Sequence, residues 1–292
     1  METYTALSRR EPGQSRNVSF GRQYNLLTRR MYTQAVRVPV AFAALVIMAF
    51  FQGILQAEIF GSVGEGEYNT DLGNNSQITG NFLGLSFLVC SDQFITCSFA
   101  QVLQIPIARP IFIREVSNGM YSTSAYYLSM VTATLTLFIL YPIVVTLTSF
   151  FFFRFDDSTF GAMLDWMMVL VLTATAGGFW GFTFGTFMKN EVTATQLNML
   201  FLIMFSFGAG FYANTGEDQN LAVRIISYIS PMRYSTELLM TRVLAGKPGS
   251  DEVLDLLGFT WGSFACVNLL LGFIFGCFII GWVTLLWKTR NY

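Results

Sequence analysis

Asp92 is the residue whose type and setting most suggest chemistry, because its carboxylate lies inside a long apolar run. Ionisable groups in such runs are costly, and they usually face the protein interior or a polar cavity. Asp92 could therefore contact a substrate or hydrogen-bond to a neighbouring helix. Gln93 follows it directly, and Gln196 and Asn198 in a later apolar run are its candidate partners.

The sequence offers few groups for catalysis or for holding a cofactor. Its 292 residues contain no His, and none of the four Cys belongs to a CxxC motif, so no metal or redox site is predicted. A GxxxxGK loop followed by Ser or Thr, which would bind ATP phosphates, does not occur in them. We therefore expect no cofactor on this chain and no enzymatic activity of its own. The net charge of −1 gives no indication of nucleic-acid binding.

The composition is that of a membrane protein, with 53% hydrophobic and 12% charged residues, where soluble domains carry about 25% charged residues. A helix of about 20 apolar residues crosses a hydrocarbon core of ~30 Å. We predict an all-α membrane protein in which residues 38–292 form a domain of six transmembrane helices. The predicted spans are 39–60, 79–105, 124–153, 160–187, 193–213 and 262–287.

The distribution of charge predicts the orientation of these spans. Seven arginines precede the first span, whereas the loop 61–78 carries three acidic residues and no Lys or Arg. Lys and Arg are enriched in short cytoplasmic segments that flank a span. We therefore expect the N-terminus in the cytoplasm. Six spans return the C-terminus to the same side, where Lys288 and Arg290 follow the last span.

Two segments outside the spans carry amphipathic or broken apolar patterns. After a polar arm, 1–19, residues 20–37 favour a basic amphipathic helix in the membrane interface over a solvated basic arm. The longest loop, 214–261, holds charges and Pro231 within an apolar stretch, so we predict two short helices at the outer face and no crossing there. The apolar stripe of the first segment consists of Phe20, Tyr24, Leu27, Met31 and Ala35.

Glycines recur at helical spacing in two of the predicted spans. The fourth span contains Gly177, Gly181 and Gly185, and the sixth contains Gly272 and Gly276. Small residues four positions apart let helix backbones approach closely. For the fourth span this spacing favours packing within the bundle, and a contact between two copies of the chain stays open as the alternative.

A cytoplasmic stretch between the second and third spans carries a family resemblance. Residues 105–129 read IPIARPIFIREVSNGMYSTSAYYLS, which resembles the pattern after the second helix of ABC transporters of the G subfamily. The chain departs from that pattern at Ala108 and Met130. Segments 208–214, 228–240 and 258–262 (GAGFYAN, YISPMRYSTELLM and GFTWG) resemble further motifs of the family in the same order. The residues of the first stretch that fit are Arg109, Pro110, Phe112, Arg114, Glu115, Gly119, Tyr121, Ser124, Tyr126 and Leu128.

The resemblance implies an ABC-2 type, or type V exporter-like, membrane domain of a half-transporter. Residues 20–37 would be its elbow helix, and the coupling segment, with Arg109, Arg114 and Glu115, would contact an ATPase domain. These arginines could instead only enforce topology and bind lipid phosphates. A cavity between two subunits of a homo- or heterodimer would be lined from the second and fifth spans. Its candidate lining residues are Asp92, Gln93, Gln196, Asn198, Phe201, Phe205 and Phe207.

The resemblance also sets the expected partners and the main alternative. Family members usually carry a nucleotide-binding domain before the membrane part, so we expect ATP-Mg only on a partner ATPase. The apolar, aromatic spans suggest a lipid or another hydrophobic substrate. The alternative is a non-transporting structural or assembly subunit of a larger membrane complex that retains the fold. A shared fold does not decide between the two.

Overall fold

The computed structural model describes residues 18–37, 39–60, 76–152, 160–212, 221–245 and 249–290. Over these residues the chain is all helical, with eleven helices and no strand, so the all-α prediction is confirmed for them. The helices are α1 (Phe20–Arg37), α2 (Pro39–Phe60), α3 (Ser76–Val102), α4 (Gln104–Ser117), α5 (Thr123–Phe152), α6 (Phe160–Phe187), α7 (Glu191–Phe207), α8 (Leu221–Ile229), α9 (Pro231–Val243), α10 (Ser250–Leu256) and α11 (Gly262–Arg290).

Several of these helices have the length and composition of membrane spans. Four described segments qualify: Thr79–Ser117, Thr123–Phe152, Phe160–Phe187 and Gly262–Thr289, the first of which covers most of α3 and α4. Shorter apolar stretches, Ala43–Ile59 and Glu191–Phe207, lie in α2 and α7. A helix therefore lies at each of the six predicted spans. By length and composition, four of the described segments are long and apolar enough to cross a membrane. Such helices are those of an integral membrane protein.

Helices α3 and α6 form the centre of the bundle, where glycines bring their backbones together. A Cβ added to Gly177 would lie 2.2 Å from the Phe94 carbonyl oxygen, and one added to Gly181 would lie 2.1 Å from the Ser98 carbonyl oxygen. Gly185 continues the same contact one turn further on, with 2.6 Å to the nearest atom. No side chain fits at these distances. The glycine spacing of α6 therefore serves packing within the bundle, as the sequence predicts.

Helix α11 differs, because much of its surface faces away from the rest of the chain. Phe264 is 85% exposed and Phe275 is 63% exposed. A Cβ added to Gly272 or Gly276 would meet no atom within 4 Å. Gly272 and Gly276 therefore make no close approach to another helix among the described residues, whereas a Cβ at Gly281 would lie 2.8 Å from the Tyr127 hydroxyl oxygen.

Helix α1 packs along the first half of α5. The Tyr24 and Thr132 hydroxyls are 2.9 Å apart, and Leu27 is buried. Phe20 and Ala35 lie on the predicted apolar stripe but are exposed. The predicted helix is present, and only the middle of its stripe is covered by the chain itself.

The long loop folds into more structure than the two short helices expected from its sequence. Three helices, α8, α9 and α10, occur in its described part, and Pro231 to Met240 are all buried. Pro231 separates the first two, since proline lacks an N–H and suits the first turn of a new helix. The third helix was not predicted because it spans only seven residues, Ser250–Leu256. Helix α9 packs against α3, α6 and α11, so it is a core element at the end of the bundle where α6 and α11 begin.

Candidate functional site

The end of the bundle opposite to α9 is here called the α4 end. It contains α1, α4, the start of α5 and the last turns of α6 and α11. Helix α4 follows α3 after Leu103 alone and ends at Ser117, with Asn118 as its C-cap. Gly119 has φ +71°, a left-handed conformation that suits glycine at the end of a helix. The Gly119 and Met120 N–H groups donate to the carbonyls of Val116 and Glu115. This turn directs the chain back toward α4 at Tyr121.

A three-residue cluster, the α1–α4 clasp, joins Arg30, Glu115 and Tyr121. An Arg30 Nη1–Glu115 Oε2 ion pair measures 2.9 Å, and the Tyr121 hydroxyl donates to the same oxygen at 2.6 Å. The Arg30 side chain is 44% exposed and that of Glu115 is 19% exposed. The hydrogen bond from Arg30 holds the pKa of Glu115 below its ordinary value. Burial, together with donation to the carboxylate, raises the pKa of Tyr121.

Aromatic stacking supports the clasp from α5. The ring centroids of Phe112 and Tyr126 are 4.5 Å apart, and those of Tyr121 and Tyr126 are 5.5 Å apart. Gln23 of α1 adds a hydrogen bond, in which its Oε1 accepts from the Ser122 N–H at 3.0 Å. Helices α1, α4 and α5 are therefore held together by side chains from all three.

The other two predicted coupling residues do not join the clasp. Arg109 Nη1 donates to the Met188 carbonyl at 3.3 Å, at the end of α6. Lys288 of α11 reaches the same place and donates to the Phe187 carbonyl at 2.6 Å. Arg114 is exposed on α4. The structure thus separates the three residues, with Glu115 and Arg109 in internal contacts and Arg114 directed outward.

Asp92 belongs to a different polar group, between α2, α3 and α5. Its carboxylate is hydrogen-bonded to Gln52 and Thr96, and it accepts a bond from Gln93 Nε2 at 3.4 Å. The Tyr141 hydroxyl donates to Gln52 Oε1 in turn. Asp92 therefore makes the expected hydrogen bond to a neighbouring helix, and that helix is α2.

The expected pairing of Asp92 with residues of α7 is wrong. Gln196 is exposed, and Asn198 Oδ1 accepts bonds from Ser98 Oγ at 3.2 Å and from Trp180 Nε1 at 3.0 Å. Six residues turn an α-helix by about 600°, so Asp92 and Ser98 point about 120° apart on α3. Asp92 accordingly faces α2, while Ser98 faces α7.

The phenylalanines of α7 take part in the core of this chain. Phe205 is 2% exposed, and its ring lies 5.0 Å from that of Trp180, measured between ring centroids. Phe201 lies 5.6 Å from Trp180 in the same way, whereas Phe207 is 55% exposed. Packing within the chain accounts for Phe201 and Phe205. That either residue lines a cavity between two subunits stays a prediction.

Sequence reasoning missed a buried ion pair on α9, at the other end of the bundle. Arg233 and Glu237 lie one turn apart on α9, with 3.9 Å between Arg233 Nε and Glu237 Oε2, and their side chains are 4% and 0% exposed. Arg233 Nη2 donates to the Gly258 carbonyl at 3.1 Å, and Glu237 Oε1 accepts from the Trp261 N–H at 2.7 Å. Their spacing of four residues was the available signal. The sequence analysis used these charges only to exclude a span.

A comparison with known protein families covers most of the chain. Residues 22–243 match the sequence model of the family described as ABC-2 type transporter. The chain belongs to this family. The matched range begins in α1 and ends with α9, so this ABC-2 domain includes the clasp, the Asp92 group and the Arg233–Glu237 pair.

Relatives of this ABC-2 domain include proteins named as ABC transporter G family members and proteins named white. "ABC transporter G family member 1" of Dictyostelium discoideum is 24% identical over 76% of this chain and 27% of its own length. "Protein white" of Ceratitis capitata is 24% identical over 78% and 32%. "ABC transporter G family member 24" of Dictyostelium discoideum is 23% identical over 94% and 24%. The chain spans about a quarter to a third of the length of these curated relatives.

We predict that the substitution Glu115→Gln loosens α1 from α4 and α5. It removes the charge from a partly exposed pair, so we expect a loss of about 1 kcal/mol or less. Hydrogen exchange of the α1 backbone should become faster, while α9 is unchanged. The control is Arg29→Gln, a change at the neighbouring exposed arginine outside the clasp. Equal acceleration in both variants would contradict a specific role for the clasp.

The pH dependence of the clasp follows from the lowered pKa of Glu115. Its stabilising contribution is present above the ordinary glutamate pKa of 4.5 and is lost as the pH falls through the lower native value. The protection of wild-type α1, measured as its exchange rate relative to the intrinsic rate at each pH, should therefore fall only when the pH falls below that ordinary value. In Glu115→Gln this acid-induced step should be absent.

Proposed function

We propose that this chain is the membrane component of a G-type ABC transporter that moves a lipid or another hydrophobic substrate. ATP hydrolysis is supplied by an ATPase domain outside these 292 residues. The observation that carries the proposal is the linkage of α4, which is continuous with α3, ion-paired to α1 and stacked on α5. A displacement of α4, caused by a contact on its exposed face near Arg114, would be transmitted to α1, α3 and α5.

The proposed topology has six spans, formed by α2, α3, α5, α6, α7 and α11, with α1 as the elbow helix at the interface. Contacts between helix ends support it. Lys288 near the end of α11 reaches the end of α6, and Thr289 lies 3.4 Å from Thr123 at the start of α5, measured between hydroxyl oxygens. The end of α6, the end of α11 and the start of α5 therefore lie at the same end of the bundle, which agrees with the six-span topology. The arginine-rich N-terminal segment assigns that side to the cytoplasm.

Cysteines introduced at Arg114 and Leu256 should then react with an impermeant reagent from opposite faces of the membrane. Reaction of both cysteines from the same face would refute this arrangement.

The proposed substrate class follows from the surface that a partner subunit would face. Helix α7 exposes Val192, Leu200, Ile203 and Phe207, which are between 45% and 62% exposed in this chain. A second copy or a related chain would enclose part of this apolar surface, and an apolar enclosure favours an apolar molecule. Gln196, which is exposed on α7, would be the polar side chain nearest to such a space, whereas Asp92 faces α2 and Gln93 is buried.

Isolation of the native protein under mild detergent tests the function. We expect an ATPase domain in the purified material, either on a longer form of this polypeptide or as a second protein. Reconstituted vesicles should move a fluorescent lipid or hydrophobic dye with ATP, and should not do so when the lysine that binds ATP phosphates in that domain is replaced. Stoichiometric recovery in a larger complex without any ATPase would favour the structural-subunit alternative instead.

A further inference from the structure

We propose that Ser117, the last residue of α4, is phosphorylated by a serine/threonine kinase that selects an arginine three residues before its acceptor. Arg114 occupies that position, and the side chains of both residues are exposed. Kinases of this class bind such an arginine through acidic groups, so the charge pattern of the substrate decides their choice. In the topology proposed above, the end of α4 lies in the cytoplasm, where these kinases and ATP occur.

The chain around the Ser117 hydroxyl is open to an enzyme. Ser117, Asn118, Gly119 and Met120 are all exposed, Met120 by 63%. The Ser117 Oγ donates to the Arg114 carbonyl at 3.0 Å, in an exposed position where water can replace the bond. A phosphoryl group on this oxygen would therefore project into solvent and displace no packed side chain.

The position of Ser117 at a helix end matters because a kinase binds its acceptor segment in an extended conformation. Residues 118–120 are already non-helical, so only the last turn of α4, residues 114–117, has to unwind. Helix ends fray. Unwinding this turn would also disturb Glu115 of the clasp, but its ion pair with Arg30 is partly exposed and such pairs are weak.

Thr33 provides a contrast, because it has the same sequence signal in a different structural setting. Arg30 precedes it by three positions, and Thr33 is exposed. It lies inside α1 (Phe20–Arg37), with helical residues on both sides, and the hydroxyl of its neighbour Tyr32 is 2.7 Å from that of Thr136 on α5. An extended conformation there would require the second half of α1 to leave α5. The structure therefore favours Ser117 over Thr33.

The reaction is an ordinary phosphoryl transfer from ATP, which the kinase supplies. The Ser117 Oγ forms a bond to the γ-phosphorus, the bond from that phosphorus to the oxygen that bridges it to the β-phosphorus breaks, and ADP leaves. The hydroxyl proton passes to the catalytic aspartate of the kinase.

The phosphate would change the sign of the charge on the exposed end of α4. It carries about −1.5 to −2 charges near neutral pH and would lie one helical turn from Arg114, whose single positive charge it exceeds. A negative group at the end of a helix also opposes the helix dipole, so the last turn and the clasp should loosen. The consequence for coupling rests on the proposed function: a contact between Arg114 and an ATPase domain would be weakened.

Phosphorylation of the purified full chain in detergent tests the site without any ATPase domain. The kinase is the catalytic subunit of cyclic-AMP-dependent protein kinase with Mg-ATP, and mass spectrometry maps the phosphate. We expect Ser117 to be modified faster than Thr33. Arg114→Gln should lower the rate at Ser117 about tenfold, the effect of losing one charge-assisted contact. The control Arg22→Gln, a change at an exposed arginine of α1, should leave it unchanged.

Three results of this assay would overturn the proposal. They are the absence of phosphate at Ser117 of the folded chain, an unchanged rate at Ser117 after Arg114→Gln, and faster modification of Thr33 than of Ser117. Ser19 also follows an arginine by three positions, so the map has to distinguish it, and phosphate on Ser19 without phosphate on Ser117 belongs to the first of these results.

The substitutions Ser117→Glu and Ser117→Gln test the consequence, because they have similar shapes and differ in charge. The glutamate variant should recover about fivefold less ATPase domain on isolation than the wild type, since like charges facing each other across an interface oppose binding. The glutamine variant should recover the wild-type amount. Equal recovery with both variants would overturn the effect on coupling. Absence of an ATPase domain from the wild-type material would instead refute the proposed function, and the kinase assay would be unaffected.

Discussion

The variant Gly181→Ala should lose about 3 kcal/mol of stability or more, although it adds a single methyl group. The added Cβ would lie 2.1 Å from the Ser98 carbonyl oxygen, 2.8 Å from its carbon and 2.9 Å from its Cα. These are backbone atoms of α3, so no side chain can rotate away and the two helices must separate. Overpacking of a core costs about 1–3 kcal/mol and occasionally more. Thermal unfolding in detergent, followed by size-exclusion chromatography, measures the loss.

Gly272→Ala is the matched control for this prediction. Gly272 is also a helical glycine in an apolar helix, but an added Cβ there meets no atom within 4 Å. Alanine restricts the unfolded chain and is favoured in helices, so we expect no loss and a gain of up to about 1 kcal/mol. Similar destabilisation by both substitutions would mean that the close approach of α3 and α6 is not the cause.

Glu237→Leu should destabilise the protein by about 3–5 kcal/mol, the usual cost of removing one partner from a buried ion pair. Arg233 would keep its charge in a site where only 3% of the residue is exposed. The Trp261 N–H would also lose its acceptor, which now lies at 2.7 Å. Because Arg233 also binds Gly258, the change should loosen the segment that leads into α11. Unfolding curves at constant detergent concentration measure the effect.

A double variant and an exposed pair provide the controls. Arg233→Met combined with Glu237→Leu removes both charges, so it should recover part of the loss. Arg242→Ala breaks a 3.6 Å ion pair with Asp165 in which both side chains are more than a third exposed. Exposed pairs contribute about 0–1 kcal/mol, so this variant should be nearly neutral. If the double variant were less stable than Glu237→Leu, the unpaired charge would not be the source of the loss.

The positions of the helices could be predicted well from the sequence, because an apolar run of membrane length has few alternatives to a helix. The predicted span 160–187 matches α6, and 39–60 matches α2. The glycine spacing of α6 likewise predicted a close helix contact. It did not identify α3 as the partner, since spacing along one helix says nothing about which helix packs against it.

Contacts between distant residues could not be predicted in this way. Arg30 and Glu115 are 85 positions apart, and nothing in either local pattern relates them. Asp92 faces α2 and not α7 because of the direction in which it points from α3, which depends on how the whole bundle packs. The Arg233–Glu237 pair could have been predicted from the sequence, because the two residues are one helical turn apart.

Cross-linking from α4 in intact cells tests the central claim most directly. A photo-activatable amino acid at Arg114 stands on the exposed face of α4, and one at Leu256 stands on α10 at the other end of the bundle, where that residue is 68% exposed. The account predicts that position 114 forms adducts with an ATPase domain and that position 256 forms none. Two results would contradict a G-type transporter coupled through α4. One is adducts between position 256 and an ATPase domain, and the other is the absence of such adducts from position 114 in cells that contain the assembled protein.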